Sequence, residues 1–180
     1  KVEQAMPPVD GVALRDAFDV LFSANIASAV QAVLLENNAK DPESLFEPVT
    51  LACAEAGRRC SAVRYVQAIE CIQRAARDLA DFFDGYDVLL TPTLARTPLK
   101  LNEISMAMDD WENYLNALLD EIPFTPLFNA TGAPAASVPL AKSEEGLPIG
   151  IQIGAALGQE KTLLRLAREL EIASPWHDRI

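Results

Sequence analysis

The sequence predicts an α/β fold in which helices pack against a β-sheet. Segments with helical periodicity occupy residues 12–84, short apolar segments with strand character follow, and an amphipathic segment comes last, so that the strand-rich part spans residues 86–176. Helices first, strands next and a closing helix are typical of a sheet covered by helices. Half of the 180 residues are apolar, which suffices for one core, and we treat residues 1–180 as one domain.

The first predicted helix runs from Leu14 to Asn38, because this stretch is rich in apolar residues and contains neither Pro nor Gly. Its apolar residues recur at helical spacing. The predicted inward face consists of Phe18, Leu21, Phe22, Ile26, Val30, Val33 and Leu34.

The next two helices are predicted from their end signals. Asp41 and Pro42 are typical of the N-cap and first turn of a short helix, and Gly57 is expected to interrupt the region that follows. Ser61 can cap a long helix from Ala62 to Phe83, which Gly85 would end. The predicted inward face of that helix is Val66, Ile69, Ile72, Ala76, Leu79 and Phe83.

Three strands are predicted after the helices. Tyr86–Thr93 is an unbroken apolar run closed by Pro92, typical of a strand buried on both faces. The stretches "AASVPLA" and "PIGIQIGA" give two more, and the polar loop Lys142–Leu147 between them suits a hairpin. Three strands are few for a buried sheet, so we expect this sheet to be part of a larger one.

The closing helix is predicted from Gln159 to Ile172. Its inward face is Leu163, Leu166, Ala167 and Leu170.

Composition narrows the classes of function. The formal net charge of −11 argues against nucleic-acid binding, which needs a basic surface. No run of 18 apolar residues is present, so we expect no membrane span, and we expect a cytoplasmic protein. Cys53, Cys60 and Cys71 lack paired spacing, which favours reduced, packed thiols over a metal site or disulfides.

The sequence contains no self-contained catalytic set. His177 is the single histidine and lies in the tail, where a surface position is expected. Four glycines spaced by four, Gly146, Gly150, Gly154 and Gly158, cross a strand instead of opening a helix, so they do not form a phosphate loop. No two serines are adjacent, and neither a metal nor a cofactor is expected.

Four stretches in fixed order carry a family resemblance: "YDVLLTPT", "FTPLFNATGAPAASVPLA", "GLPIGIQIGA" and "EKTLLRLARELEIASPW". Together with the helical stretch "SAVRYVQAIECIQRAARDLADFF", they resemble the C-terminal part of the amidase signature family of hydrolases. The resemblance covers the chain from Val12 onward and implies a mixed β-sheet flanked by helices. It also implies hydrolysis of carboxylic amides, with a small-molecule amide as the partner; self-association is left open.

The family's catalytic residues have no counterpart in this chain. The resemblance implies a nucleophilic serine, a second serine in a cis peptide and a lysine, all in an N-terminal half. We therefore assign no catalytic residue here and expect the chain, which does not begin with Met, to be the C-terminal portion of a longer protein. Its expected contribution is scaffold and pocket wall.

A rigid turn is expected before the second strand. Gly132 permits a positive φ, Asn129 and Thr131 can hydrogen-bond the turn, and Pro134 and Pro139 would fix the two ends of the strand.

Substrate contacts are expected from the loops between the first strand and this turn, because loops on a fixed scaffold carry variable function. The predicted substrate-binding residues are Trp111, Phe124, Thr125 and Asn129.

Two alternatives stay open. One is the A subunit of a glutamine-dependent aminoacyl-tRNA amidotransferase, and the other is a truncated, non-catalytic interaction protein.

Overall fold

A computed structural model of the chain describes residues 1–38 and 41–176. His177, expected at the surface, lies outside the described residues. The chain forms two compact units. The helical unit comprises Gly11–Ile72 and Lys100–Asp120; the sheet unit comprises Lys1–Asp10, Gln73–Leu99 and the chain from Glu121 onward.

Four helices contribute to the helical unit. They are α1 (Gly11–Glu36), α2 (Pro48–Arg58), the first half of α3 (Ala62–Phe83) and α4 (Trp111–Glu121), with a short 3₁₀ turn at Pro42–Ser44. The predicted caps are present: the Asp41 side chain accepts from the Glu43 N–H at 3.2 Å, and Ser61 Oγ accepts from the Arg64 N–H at 3.2 Å. The bounds predicted for α3 are confirmed.

The buried face of α1 differs from the predicted one. Its buried residues are Leu14, Ala17, Val20, Ser23, Ala27 and Val30. Only Val30 was predicted, because large apolar residues were expected inside, whereas small residues let a neighbouring helix approach closely. Gly57 of α2 shows how closely the two helix backbones approach, since a Cβ on Gly57 would lie 2.0 Å from the Ser23 carbonyl oxygen of α1. Gly57 was predicted to interrupt this region; it lies within α2, and that helix ends one residue later, at Arg58.

The predicted inward face of α3 is only partly correct. Leu79 and Phe83 are buried, but Val66 is 53% exposed. Ala68 and Ala75 are buried instead, so again small residues occupy the tightest positions.

By length and composition alone, α1 could cross a membrane, since its most apolar window has a mean hydropathy of 1.6. Within the helical unit, however, Ala17 and Val20 pack against Ala68, and Ala27 and Val30 pack against Ala54 of α2. Within the helical unit, one side of α1 is therefore packed against its neighbours.

In its described residues the sheet unit contains three strands and two helices besides the second half of α3. The strands are β1 (Leu89–Pro92), β2 (Ala135–Lys142) and β3 (Pro148–Gly154); the helices are α5 (Thr125–Thr131) and α6 (Glu160–Ala173). The strand order is β1-β3-β2, and both pairings are antiparallel. The predicted hairpin between β2 and β3 is confirmed.

Two predictions about the strands were wrong. β1 alternates between half-buried and exposed residues, with Leu90 49% exposed, so it is not buried on both faces in the described residues. Pro139 does not end β2 but lies inside it, at a register shift between Val138 and Ala141. β2 is an outer strand, where a missing N–H and a bulge are tolerated.

α6 covers one face of the sheet as predicted. Leu163 packs with Val138 and Ile153 in the core, and the remaining predicted residues Leu166, Ala167 and Leu170 pack around them.

Candidate functional site

The opposite face of the sheet is polar along the row of Thr91, Gln152 and Ser137, and apolar at the row of Leu89 and Gly154, where the Phe128 ring packs. Thr91, Gln152 and Ser137 are direct partners across the three strands, so their side chains share one face. Gly150 and Gly154 lie on that face too, because alternate residues of β3 point the same way. This polar face consists of Thr91, Thr93, Ser137, Gly150, Gln152 and Gly154.

Thr93 and Ser137 meet across the central strand. Thr93 follows β1 and donates its backbone N–H to the Gly150 carbonyl at 3.0 Å, while Ser137 lies on β2. Their hydroxyl oxygens are 2.6 Å apart. A Cβ on Gly150 would lie 2.8 Å from one hydroxyl oxygen and 2.9 Å from the other. The missing side chain at Gly150 therefore makes this contact possible.

Gln152 joins the polar face to α5. It is only 4% exposed, and its Nε2 donates to Thr91 Oγ1 at 3.1 Å and to the Phe124 carbonyl at 3.5 Å. Because Phe124 immediately precedes α5, the Gln152 side chain fixes the start of that helix over the sheet.

The body of α5 rests on Gly154. A Cβ on Gly154 would lie 2.0 Å from Cζ of Phe128, so the ring lies directly on the strand backbone. This arrangement places two predicted substrate-binding residues, Phe124 and Thr125, at the start of α5 on the polar side of the sheet. Phe124 is 37% exposed and Thr125 is half-buried. Asn129 is exposed, one helical turn further along.

The predicted turn has a different form. Asn129 and Thr131 belong to α5, and the Thr131 hydroxyl donates to the Leu127 carbonyl of the preceding turn at 2.8 Å. The prediction that Thr131 hydrogen-bonds the turn is confirmed, since its hydroxyl oxygen also accepts from the Ala133 N–H at 3.5 Å. Gly132 has the expected positive φ of 75°, and it caps α5 by donating its N–H to the Phe128 carbonyl at 2.9 Å.

Trp111, the fourth predicted binding residue, belongs to the helical unit. It is 9% exposed, and its Nε1 donates to Asp19 Oδ1 at 2.7 Å. Its ring stacks on Phe22 with centroids 5.6 Å apart. These contacts are those of a core residue, and a substrate contact for Trp111 stays a prediction.

The charge of Asp19 also affects the Cys53 thiol. Burial, and then the negative charge of Asp19, raise the pKa of the Cys53 thiol from 9.0 to about 12. Cys53, Cys60 and Cys71 are all free thiols; Cys53 is buried and the other two are half-buried. Among the described residues no three His, Cys, Asp or Glu side chains form a metal-binding group.

The polar face was not predicted from the sequence. Its signal was the alternation of small or polar residues along each strand: Thr91 and Thr93, then Ser137, then Gly150, Gln152 and Gly154. Pairing of the strands is needed before these alternations converge on one surface.

Comparison with known proteins places these elements in a family. Residues 1–164 match the family model described as Amidase. AmiC of Mycobacterium leprae (strain TN), which is named as an amidase, is 45% identical over 113 residues, or 63% of this chain and 24% of that protein. The 6-aminohexanoate-cyclic-dimer hydrolase of Paenarthrobacter ureafaciens is 40% identical over 97 residues, or 51% of this chain and 20% of that protein.

A solved structure of 6-aminohexanoate cyclic dimer hydrolase superposes with a TM-score of 0.87 at 26% identity, over 97% of this chain and 38% of that one. The fold is thus that of part of an α/β hydrolytic enzyme. The chain belongs to the amidase family, and it spans about a quarter of the length of the curated relatives it matches.

Proposed function

We propose that this chain is the part of an amidase that supplies scaffold and one wall of the substrate pocket, in a protein that hydrolyses the C–N bond of carboxylic amides. The observation that carries the proposal is the family match over residues 1–164. The names of relatives, among them the amidase AmiC and 6-aminohexanoate-cyclic-dimer hydrolase, support amides as the substrate class.

The geometry of α5 supports a pocket role for Phe124 and Thr125. Both lie where the helix begins above the polar face, and Gln152 and Gly154 hold that helix in place. A wall that is fixed by a buried hydrogen bond and a close ring contact changes little on binding, which lowers the entropic cost of holding a substrate. The exposed ring of Phe124 offers an apolar surface for an acyl chain, and Thr125 offers a hydroxyl.

The catalytic serines and lysine that the family resemblance implies are proposed to come from residues outside this chain. Acyl transfer needs an activated nucleophile and donors for the developing oxyanion. No adjacent serines occur in these 180 residues.

The test compares two proteins on the same set of primary amides: this chain and the complete product of its gene. Ammonia release is measured, with heat-inactivated samples as the blank. We expect turnover by the complete product and none by this chain. Turnover by this chain that survives repurification and disappears on substituting one of its own residues would overturn the assignment of catalysis to residues elsewhere.

The amidotransferase alternative has weaker support. The A subunit of glutamyl-tRNA(Gln) amidotransferase from Thiobacillus denitrificans is 36% identical over 115 residues, below the value for AmiC. A complete product that hydrolyses simple amides without a partner protein favours the free-standing amidase. If the complete product hydrolyses no amide, the result favours the other alternative, a non-catalytic interaction protein.

A further inference from the structure

We infer that Arg96 and Glu121 are a positioning pair: by joining the loop after β1 to the start of the chain that leads into α5, they fix where Phe124 and Thr125 lie. The inference rests on the proposed function for the pocket role of Phe124 and Thr125. The pair itself is argued from contacts within the sheet unit.

Glu121 is held through its side chain and through its backbone. Nε of Arg96 donates to both carboxylate oxygens of Glu121, at 2.7 and 2.9 Å, and Nη2 of Arg96 contacts Oε1 as well. One residue earlier, the Ala95 N–H donates to the Glu121 carbonyl at 2.9 Å. A planar guanidinium holds a carboxylate in one geometry, and the Glu121 side chain is only 12% exposed, so salt screens this pair less than a fully exposed one. Together these contacts fix Glu121 beside the loop that follows β1.

The pair closes a long excursion of the chain. Arg96 and Glu121 are 25 residues apart, and residues 100–120 between them belong to the helical unit. Bringing the two ends of such a segment together costs conformational entropy, which the ion pair and the adjacent backbone hydrogen bond offset. Glu121 is the residue at which the chain returns to the sheet unit. The pair therefore determines the point from which the chain continues towards α5.

The chain has little freedom between Glu121 and the start of α5 at Thr125. These positions are four residues apart, which limits their separation to roughly 14 Å. Pro123 lies between them, with its own φ fixed and the residue before it restricted to extended backbone. At the far end, α5 is held on the sheet by Gln152 and by the close ring contact at Gly154. A segment this short and anchored at both ends changes position when either anchor is lost.

Loss of the pair should displace this segment without unfolding the sheet unit. α5 keeps its anchors at Gln152 and Gly154, and the core clusters of the described residues contain neither Arg96 nor Glu121. A displaced pocket wall weakens contacts with the part of a substrate that touches it, while the reacting bond keeps its surroundings. The kinetic signature is a raised KM with an unchanged kcat, confined to substrates long enough to reach the wall.

The first experiment compares variants of the complete gene product on acetamide and on hexanamide, which carries an apolar chain. Arg96→Ala and Glu121→Gln should each raise the KM for hexanamide about fourfold, the equivalent of one methylene group left in water, with kcat unchanged. Both kinetic constants for acetamide should stay as they are. The double variant should be no worse than either single variant, because both remove the same contact. Glu171→Gln, which breaks the Arg168–Glu171 ion pair of α6, is the matched control and should change neither KM. Equal changes for the two amides, or additive effects in the double variant, would overturn the inference.

Methyl NMR of the same complete product measures the positioning without turnover. The methyl groups of Ile122 and Thr125 report on the segment, and the methyl group of Thr162 reports on α6. Arg96→Ala, which is distant in sequence from all three, should shift the Ile122 and Thr125 resonances and leave Thr162 in place. Unchanged Ile122 and Thr125 resonances, or shifts spread over the whole spectrum as in a loosened fold, would overturn the inference. If the complete product hydrolyses neither amide, the proposed function fails, and the methyl shifts still decide whether the pair positions the start of α5.

Discussion

Thr93 and Ser137 lie on opposite sides of the central strand β3, yet their hydroxyl oxygens are 2.6 Å apart, directly over Gly150. A glycine in the middle of a sheet usually weakens a strand. Here it admits a contact between Ser137 of β2 and Thr93, which directly follows β1.

Two glycines of β3 should differ in their response to a methyl group. Gly154→Ala places a Cβ 2.0 Å from the Phe128 ring, which α5 holds in place, so we expect a loss of about 2–3 kcal/mol in the free energy of unfolding. Gly150→Ala meets two short side chains that can rotate, and about 1 kcal/mol is expected. Denaturant unfolding of the two variants measures both losses in the free energy of unfolding. A Gly150 variant as unstable as the Gly154 variant would contradict this ranking.

Gln152→Glu should destabilise the sheet unit at neutral pH by about 2–3 kcal/mol, since a buried carboxylate would face the Phe124 carbonyl without a proton to donate. Burial raises the folded-state pKa of such a glutamate, so stability should be retained in acid and lost as pH rises. Thermal unfolding across acid to neutral pH measures this. Gln159→Glu, at the exposed N-cap of α6, is the matched control and should change little. A pH-independent effect of Gln152→Glu would contradict the proposed contact.

Gly132→Val should lower the melting temperature clearly, because a β-branched residue at φ 75° costs about 1–3 kcal/mol. Space is not the cause, since among the described residues, its two chain neighbours aside, no atom lies within 4 Å of a Cβ built there. Thr131→Ser keeps the hydroxyl bonded to Leu127 and should do little. Thermal unfolding of both variants in the same buffer measures the two melting temperatures. Small and equal shifts would mean that the cap of α5 tolerates any residue.

Trp111→Phe should cost about 1–2 kcal/mol, because the stacked ring is retained but the Asp19 carboxylate loses its donor. Tyr114→Phe is the control: its hydroxyl donates to the Met106 sulfur, a weak acceptor, and its loss should cost less. The two free energies of unfolding are compared under identical conditions. A smaller loss for Trp111→Phe would argue against a structural role of the indole N–H.

Cys53 should resist alkylation in the native protein while Cys60 and Cys71 react. Its pKa of about 12 keeps the thiol protonated, and only the thiolate is an effective nucleophile. Because the folded-state pKa is raised, the related stability is fully present below pH 9 and is lost as pH rises towards 12. Iodoacetamide labelling at about pH 8, followed by peptide mass spectrometry, measures the order of reaction. If Cys53 is labelled as fast as Cys60, the predicted order of reaction is contradicted.

The sequence predicted elements well and packing less well. The bounds of α3 followed from local chemistry at Ser61, where a capping hydroxyl acts within a few residues. At Gly132 the positive φ was predicted, but the helix α5 that it ends was not. The family resemblance followed from the order of four motifs and is confirmed by the match over residues 1–164.

Close packing was missed because it depends on partners distant in sequence. Gly57 was interpreted as a helix interruption, although it is the point where α2 touches the backbone of α1 at Ser23. Phe22 was expected inside α1 and is 41% exposed. The polar face was missed for the same reason, since Thr93 and Ser137 are 44 residues apart. Whether Phe124, Thr125, Asn129 and Trp111 contact substrate stays a prediction.

The composition of α1 has a consequence for how the protein is made. This helix precedes α2 and α3 in the chain, so during synthesis it leaves the ribosome before the residues that cover it. Until Ala54 and Ala68 arrive, the side of α1 that packs against them lacks its partners, and transiently exposed apolar surface of this kind makes a chain prone to aggregate. The close approach of α2 to Ser23 at Gly57 covers part of that surface once α2 has formed.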